Sequence, residues 1–245
     1  MTCSPKLLMN SLLFKSVREL SGLLVSRELS ARELLDASLA QIDRVNPSLN
    51  AIITFDRDGA YANADVVDAR RAAGKPTSPL AGLPIAIKDL EAVKGMRTTS
   101  GSPIFKDWIP DYDTLMVERF RAHGLTLLGK TNVPEFALGS QTFNTLFGAT
   151  KNPWDTTKTC GGSSGGAAVA VATGMLPFAD GSDMAAVCAT RLTFAAWSDC
   201  ALRRAECRAI QPSITGARSA CWGRLRARRR TLHGCSPFRP VTTRA

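Results

Sequence analysis

Two hydrophobic rhythms alternate along the first 184 residues. After Ser30 the spacing is helical, with Leu35, Leu39, Ile42 and Val45 three or four residues apart. Ser30 and Glu33 stand where a capping box satisfies the first free N–H groups of that helix. Asn46-Pro47 is expected to end it, because proline disfavours helical backbone in the residue before it. Residues 51–55 read as a short strand. A second helix is expected over 59–73, with Gly74 and Pro76 as its stop signals. Leu83 to Lys88 is a short apolar strand that ends in a lysine, and residues 98–102 are a polar loop. Asp113 is expected to cap a helix that turns Leu115, Met116 and Phe120 inward and stops at Gly124, and residues 125–128 read as a buried strand. The small-residue run from Ala167 to Ala172 reads as a buried helix, fed by a Gly/Ser loop over 161–166. Short apolar strands alternating with helices predict an α/β sheet covered on both faces.

Charge divides the chain. Residues 1–184 hold 19 Lys+Arg against 19 Asp+Glu, whereas residues 185–245 hold 12 Arg, no Lys and only Asp199 and Glu206. The whole net charge of +10 therefore lies in the last part of the chain, with Cys188, Cys200, Cys207, Cys221 and Cys235. These cysteines form no C-x-x-C pair, so a zinc site is not expected. No apolar run reaches the 18 residues that suggest a membrane span, and the first 13 residues lack the long apolar segment of a signal peptide. A cytoplasmic protein with no membrane partner is the expectation.

Residues Gly124 to Thr131 match the phosphate-loop pattern G-x-x-x-x-G-K-[ST]. The interior, Leu-Thr-Leu-Leu, is strand-like, and Asn132-Val133-Pro134 opposes the helix that must follow. Nucleotide binding is not expected. The loop Gly161-Gly162-Ser163-Ser164-Gly165-Gly166 is the stronger candidate for chemistry, since its glycines permit close backbone approach around two hydroxyls. A serine needs a base to act as nucleophile. His123 stands at an expected helix end and His233 lies in the basic tail, so a Ser-His-Asp triad is poorly supported. Lys88 is the other option, because withdrawal from water at the end of an apolar strand favours the uncharged amine.

Four stretches occur in order: Gly82-Leu-Pro-Ile-Ala-Ile-Lys88-Asp89, Gly129-Lys-Thr-Asn-Val-Pro-Glu-Phe136, Gly148-Ala-Thr-Lys-Asn-Pro-Trp-Asp155 and Gly161-Gly-Ser-Ser-Gly-Gly166. Over about residues 25–184 the chain resembles the amidase signature family. The resemblance implies an α/β/α fold around a mixed sheet, incomplete here because family members continue into a C-terminal half. It implies hydrolysis of a small-molecule amide to acid and ammonia or amine, with no metal or organic cofactor. It makes Lys88 the general base and Ser163 the bridging serine, joined to Gly162 by a cis peptide bond. Ser164 is expected to support the loop by hydrogen bonding. The resemblance also allows a homodimer, and it extends to the A subunit of tRNA-dependent amidotransferases.

The nucleophile is expected 24 residues beyond Ser163, at position 187, within a motif of the form G-S-D-x-G-G-S. The chain keeps Gly181-Ser182-Asp183-Met184 and then reads Ala185-Ala186-Val187. Val187 has no hydroxyl, and the two glycines expected to help form an oxyanion hole are replaced. A one-base shift of reading frame accounts for the break. With one G added after the Met184 codon, codons for Ala185-Ala186-Val187-Cys188-Ala189 can read Gly-Gly-Ser-Leu-Arg. Out-of-frame GC-rich DNA also accounts for many arginines, scattered cysteines and absent lysine. The chain is thus divided into an amidase-like part, 1–184, and an unrelated, disordered tail, 185–245, and this form is expected to be inactive. A basic tail that binds nucleic acid through Arg224 to Arg230 is the weaker alternative, and no nucleic-acid partner is expected. Sequencing the gene across codons 184–187 in independent isolates is expected to reveal a single-base loss in this one; the same frame in every isolate, with a preserved tail, would sink the frameshift.

Overall fold

The computed structural model describes residues 12–183 and the pair Cys221–Trp222. Helices α1 (Val17–Ser26) and α2 (Ala31–Leu49) both open on capping boxes. At α2 the Ser30 hydroxyl accepts from Glu33 N at 3.0 Å while the Glu33 carboxylate accepts from Ser30 N at 2.9 Å. Leu34, Leu35, Leu39 and Ile42 are buried along one face.

α2 does not stop at Asn46. It runs through Pro47 to Leu49 and closes at Asn50, whose φ of 55° is left-handed. Pro47 sits in the last turn, where its missing N–H removes one hydrogen bond and leaves the turns before it intact. Asn46 then organises the exit: its Oδ1 accepts from Ala51 N and Ile52 N, each at 2.9 Å, and its Nδ2 donates to Ile52 O at 2.8 Å. The expected terminator is therefore the residue that steers the chain into β1 (Ile52–Phe55).

Helix α3 (Arg57–Ala72) is capped by Asp56, which accepts from Gly59 N at 3.0 Å. It ends in a Schellman motif, with Lys75 N donating to Arg70 O and Gly74 N to Arg71 O. Strand β2 (Pro84–Lys88) follows, then α4 (Leu115–Ala122) and β3 (Thr126–Thr131). In α4 the orientation differs from expectation. Thr114 holds the cap position, Val117 is fully buried, and Leu115 is 58% exposed. Met116 and Phe120 pack partly buried against the core. Asp113 instead accepts from Lys94 N at 2.7 Å and pairs with Arg121 at 2.8 Å, so its carboxylate is engaged away from the cap position that Thr114 holds.

The sheet order is β1-β3-β2, with β1 antiparallel and β2 parallel to β3. It is a mixed sheet, as expected. β2 and β3 are buried along their whole length. β3 passes straight through the phosphate-loop pattern: Lys130 is an interior strand residue, not a loop cation. Two short hairpin strands, β4 (Phe143–Asn144) and β5 (Gly148–Ala149), precede the Gly/Ser loop. Helix α5 (Gly165–Ala172) is buried and touches all three strands of the sheet. β6 (Ser182–Asp183) pairs antiparallel with β7 (Cys221–Trp222). Among the described residues no helix is long and apolar enough to cross a membrane.

The small side chains at the start of α5 follow from this packing. A Cβ on Gly166 would lie 2.5 Å from Asn132 N and 2.6 Å from Ala51 O, backbone atoms of the residues flanking β3 and β1. Local helix propensity favours Gly166→Ala by about 1 kcal/mol, whereas overpacking opposes it by about 1–3 kcal/mol. The neighbours are backbone and cannot swing away, so the steric term wins. Gly166→Ala is expected to lower the urea midpoint; a raised midpoint would show that the helix has room to shift.

Candidate active site

Lys88 is the last residue of β2, and its side chain is fully buried. Its Nζ lies 2.9 Å from Ser163 Oγ and 2.7 Å from Ser182 Oγ, donating to both. Three segments far apart in the chain thus meet at one amine: a strand end, the Gly/Ser loop and β6. Ser163 and Ser182 are each partly buried, whereas the Lys88 side chain is fully buried.

The loop is held from below by Thr142. Its Oγ1 donates to Gly161 O at 2.8 Å and accepts from Gly165 N at 3.0 Å, and its backbone N donates to Gly161 O at 3.1 Å. Gly162 rides directly on backbone, since a Cβ there would sit 2.8 Å from the carbonyl carbon of Gln141. The Gly162–Ser163 peptide bond is cis. Ser164 is fully buried and its Oγ accepts from Ser182 N at 3.4 Å, tying the loop to β6. A recess of about 470 Å³ is lined by Gln141, against whose backbone Gly162 rides, and by Pro134, Phe136, Leu138, Phe143 and Asn144, among others.

Sequence reasoning missed two members of this cluster. Ser182 was legible only as the flank of an expected motif, yet its hydroxyl touches Lys88. Asp180 carries no motif, but a charged residue closing the apolar run from Met175 to Ala179 was the available signal. Its Oδ1 accepts the backbone N–H of Lys88 at 2.9 Å, and its Oδ2 has no hydrogen-bond partner among the described residues. Burial pushes the Asp180 carboxyl up to about 6, against the opposing pull of the Lys88 N–H and of the Lys88 and Lys130 amines. Lys130 donates to the Glu91 carbonyl, and burial lowers its amine to about 8 although Asp89 and Asp180 oppose this. Asp89 is itself raised by burial, offset by hydrogen bonds from Thr99. His123 is elsewhere in this scheme: it closes α4, and its Nδ1 lies 3.2 Å from Ser78 Oγ. Position 187, with Ala185 and Ala186, lies outside the described residues.

The sequence model of the Amidase family matches residues 33–186. The chain belongs to the amidase family. Among curated proteins it is similar to the A subunit of glutamyl-tRNA(Gln) amidotransferase from Acidothermus cellulolyticus, 47% identical over 175 residues, covering 71% of this chain and 35% of that protein. The corresponding protein of an Azoarcus species is 49% identical over 168 residues, covering 69% and 34%. The chain thus spans about a third of the length of the curated relatives it matches. Among solved structures, an amidase-family aryl acylamidase from a bacterium is 35% identical with a TM-score of 0.67, covering 70% of this chain and 36% of that one. A 6-aminohexanoate cyclic dimer hydrolase is 35% identical with a TM-score of 0.64, covering 70% and 34%. A component of a vestigial complex linked to the origins of an s-triazine catabolic enzyme is 40% identical with a TM-score of 0.67, covering 69% and 37%. The amidase signature architecture around a mixed sheet is therefore shared by the described part of this chain.

The Asp180 site predicts a pH dependence of stability. The carboxyl rises from its ordinary 3.8 to about 6 in the folded chain, so the folded state holds more protons between these values. Stability should therefore fall as pH rises through that window. Asp180→Asn keeps an acceptor for the Lys88 N–H and removes the titration. The wild-type chain should lose roughly 2–3 kcal/mol relative to this variant between pH 4 and 7, at about 1.4 kcal/mol per pKa unit. Urea titrations of both proteins across that range measure it; a pH-independent difference would contradict the assignment.

Proposed function

We propose that residues 1–184 carry the base-and-relay half of an amide-hydrolysing site, with Lys88 as base and Ser163 as relay. The observation that carries this reading is the 2.9 Å contact between the fully buried Lys88 amine and the Ser163 hydroxyl, 75 residues away in sequence. When it carries no proton, the Lys88 amine takes one from Ser163, which takes one from the attacking serine. That serine adds to the amide carbonyl, and the proton returns by the same route to the leaving nitrogen. Water then releases the acid. The substrate is a small-molecule carboxylic amide, and the reading places the protein in the cytoplasm.

In the chain as written, position 187 is valine, so the relay has no serine to activate there. We assign residues 185–245 to a shifted reading frame. The family match ends at residue 186, two residues past Met184, which supports that boundary. A second reading, the A-type component of a tRNA-dependent amidotransferase acting with other subunits, is favoured by the 47–49% identity to such proteins. Ammonia release that requires co-purified subunits would separate it from a free-standing amidase.

The purified 245-residue chain is expected to release no ammonia or amine above background from aryl or aliphatic amides; sustained turnover would overturn the inactive reading. In the gene with its frame restored, Lys88→Met should lower kcat/KM on the order of 10²–10⁴-fold. Activity indifferent to that change would remove Lys88 from its role.

A further inference from the structure

We propose that Ser182 is a second reactive hydroxyl of this centre, accepting an acyl or phosphonyl group directly with Lys88 as its base. The inference rests on the reading of Lys88 as a base, but not on the relay through Ser163. Ser182 Oγ lies 2.7 Å from Lys88 Nζ, nearer than Ser163 at 2.9 Å, so no intermediary is needed to take its proton. A hydroxyl in direct contact with a shielded lysine amine is the arrangement of a serine–lysine dyad. Lys88 is fully buried while Ser182 is only partly so, so the amine is kept from water beside a residue that itself retains exposure.

The Ser182 backbone is fixed from within the amidase-like part of the chain, because its N–H donates to the buried Ser164 hydroxyl. Lys88 is fixed equally from behind by the Asp180 carboxylate on its backbone N–H. Both partners of the 2.7 Å contact are thus held by their own main chains.

The reagents that suit such a dyad are activated esters and fluorophosphonates, whose leaving groups depart without needing a proton. With a fluorophosphonate, the Ser182 Oγ–P bond forms, the P–F bond breaks, and fluoride leaves. The Ser182 proton passes to Lys88 Nζ and from there to solvent. With an aryl ester, the Oγ–acyl bond forms and the aryl oxide leaves. An amide requires protonation of its nitrogen as well as stabilisation of the oxyanion, so this reactivity is compatible with absent amide turnover.

The test treats the 245-residue protein with a fluorophosphonate–biotin probe. Intact mass gives the stoichiometry and fragmentation of the tryptic peptide 159–191 locates the adduct. That peptide contains Ser163, Ser164 and Ser182 together, so only fragment ions between them assign the site. One adduct per chain on Ser182 is expected. Ser182→Ala should slow labelling at least 10-fold, and Lys88→Met and Lys88→Arg should do the same, with far-UV circular dichroism confirming that each variant folds. An adduct on Ser163 or Ser164 that still depends on Lys88 overturns the Ser182 assignment and leaves Lys88 as base. An adduct on Ser182 at an unchanged rate in both Lys88 variants overturns the base. A folded protein that takes no label overturns the proposal outright.

Discussion

The amine of Lys88 has to be placed inside the protein without being left unbonded, and the rest of the site depends on how this is done. An ammonium or amine withdrawn from water is tolerated only when hydrogen-bonding partners replace the water. Here the partners are the Ser163 and Ser182 hydroxyls, brought from segments 75 and 94 residues away. The contacts require β2 to end where the Gly/Ser loop turns and where β6 begins. They also require α5 to press Gly166 on the backbone of Ala51 and Asn132 and Gly165 on the side chains of Thr142 and Cys160, so that the loop is carried to the strand end.

A second layer of buried charge lies behind the first. Asp180 and Asp89 are carboxylates raised by burial, and Lys130 is an amine lowered by it. Each of these shifts is opposed by groups of the same cluster, so the three residues are electrostatically coupled. Asp180 links the layers, because one oxygen grips the Lys88 backbone while its charge faces Lys130. The lysine of the phosphate-loop look-alike therefore belongs to the electrostatics behind the catalytic candidate, without any loop to hold a phosphate.

Much of this was legible before the structure. The Ser30 capping box, the strand ending in Lys88, the Gly74 stop and the buried small-residue helix were set by short-range chemistry, and the chain keeps them. The departures came from side-chain contacts that hydrophobic pattern and single-residue preference do not report. Pro47 was read by its local preference, but Asn46 bonds to Ala51 and Ile52, which holds the last turn together around it. Hydrophobicity alone turns Leu115 inward, but Asp113 is engaged by Lys94 and Arg121, Thr114 takes the cap position, and Val117 is the residue that enters the core.

The sequence alone determined which chemical groups are present: a lysine at a strand end, serines in a glycine loop, and valine where the attacking serine is expected. Identity at a position is a property of one residue and its neighbours in the chain. Only the tertiary structure decided which of those groups meet. Ser182 looked like a flank and became a ligand of the Lys88 amine, and Asp180 looked like the end of an apolar run and became the clamp on its backbone. The reason is physical. Hydrogen bonds to a buried amine act over about 3 Å, and no spacing along the chain reports which distant strand will arrive within that distance.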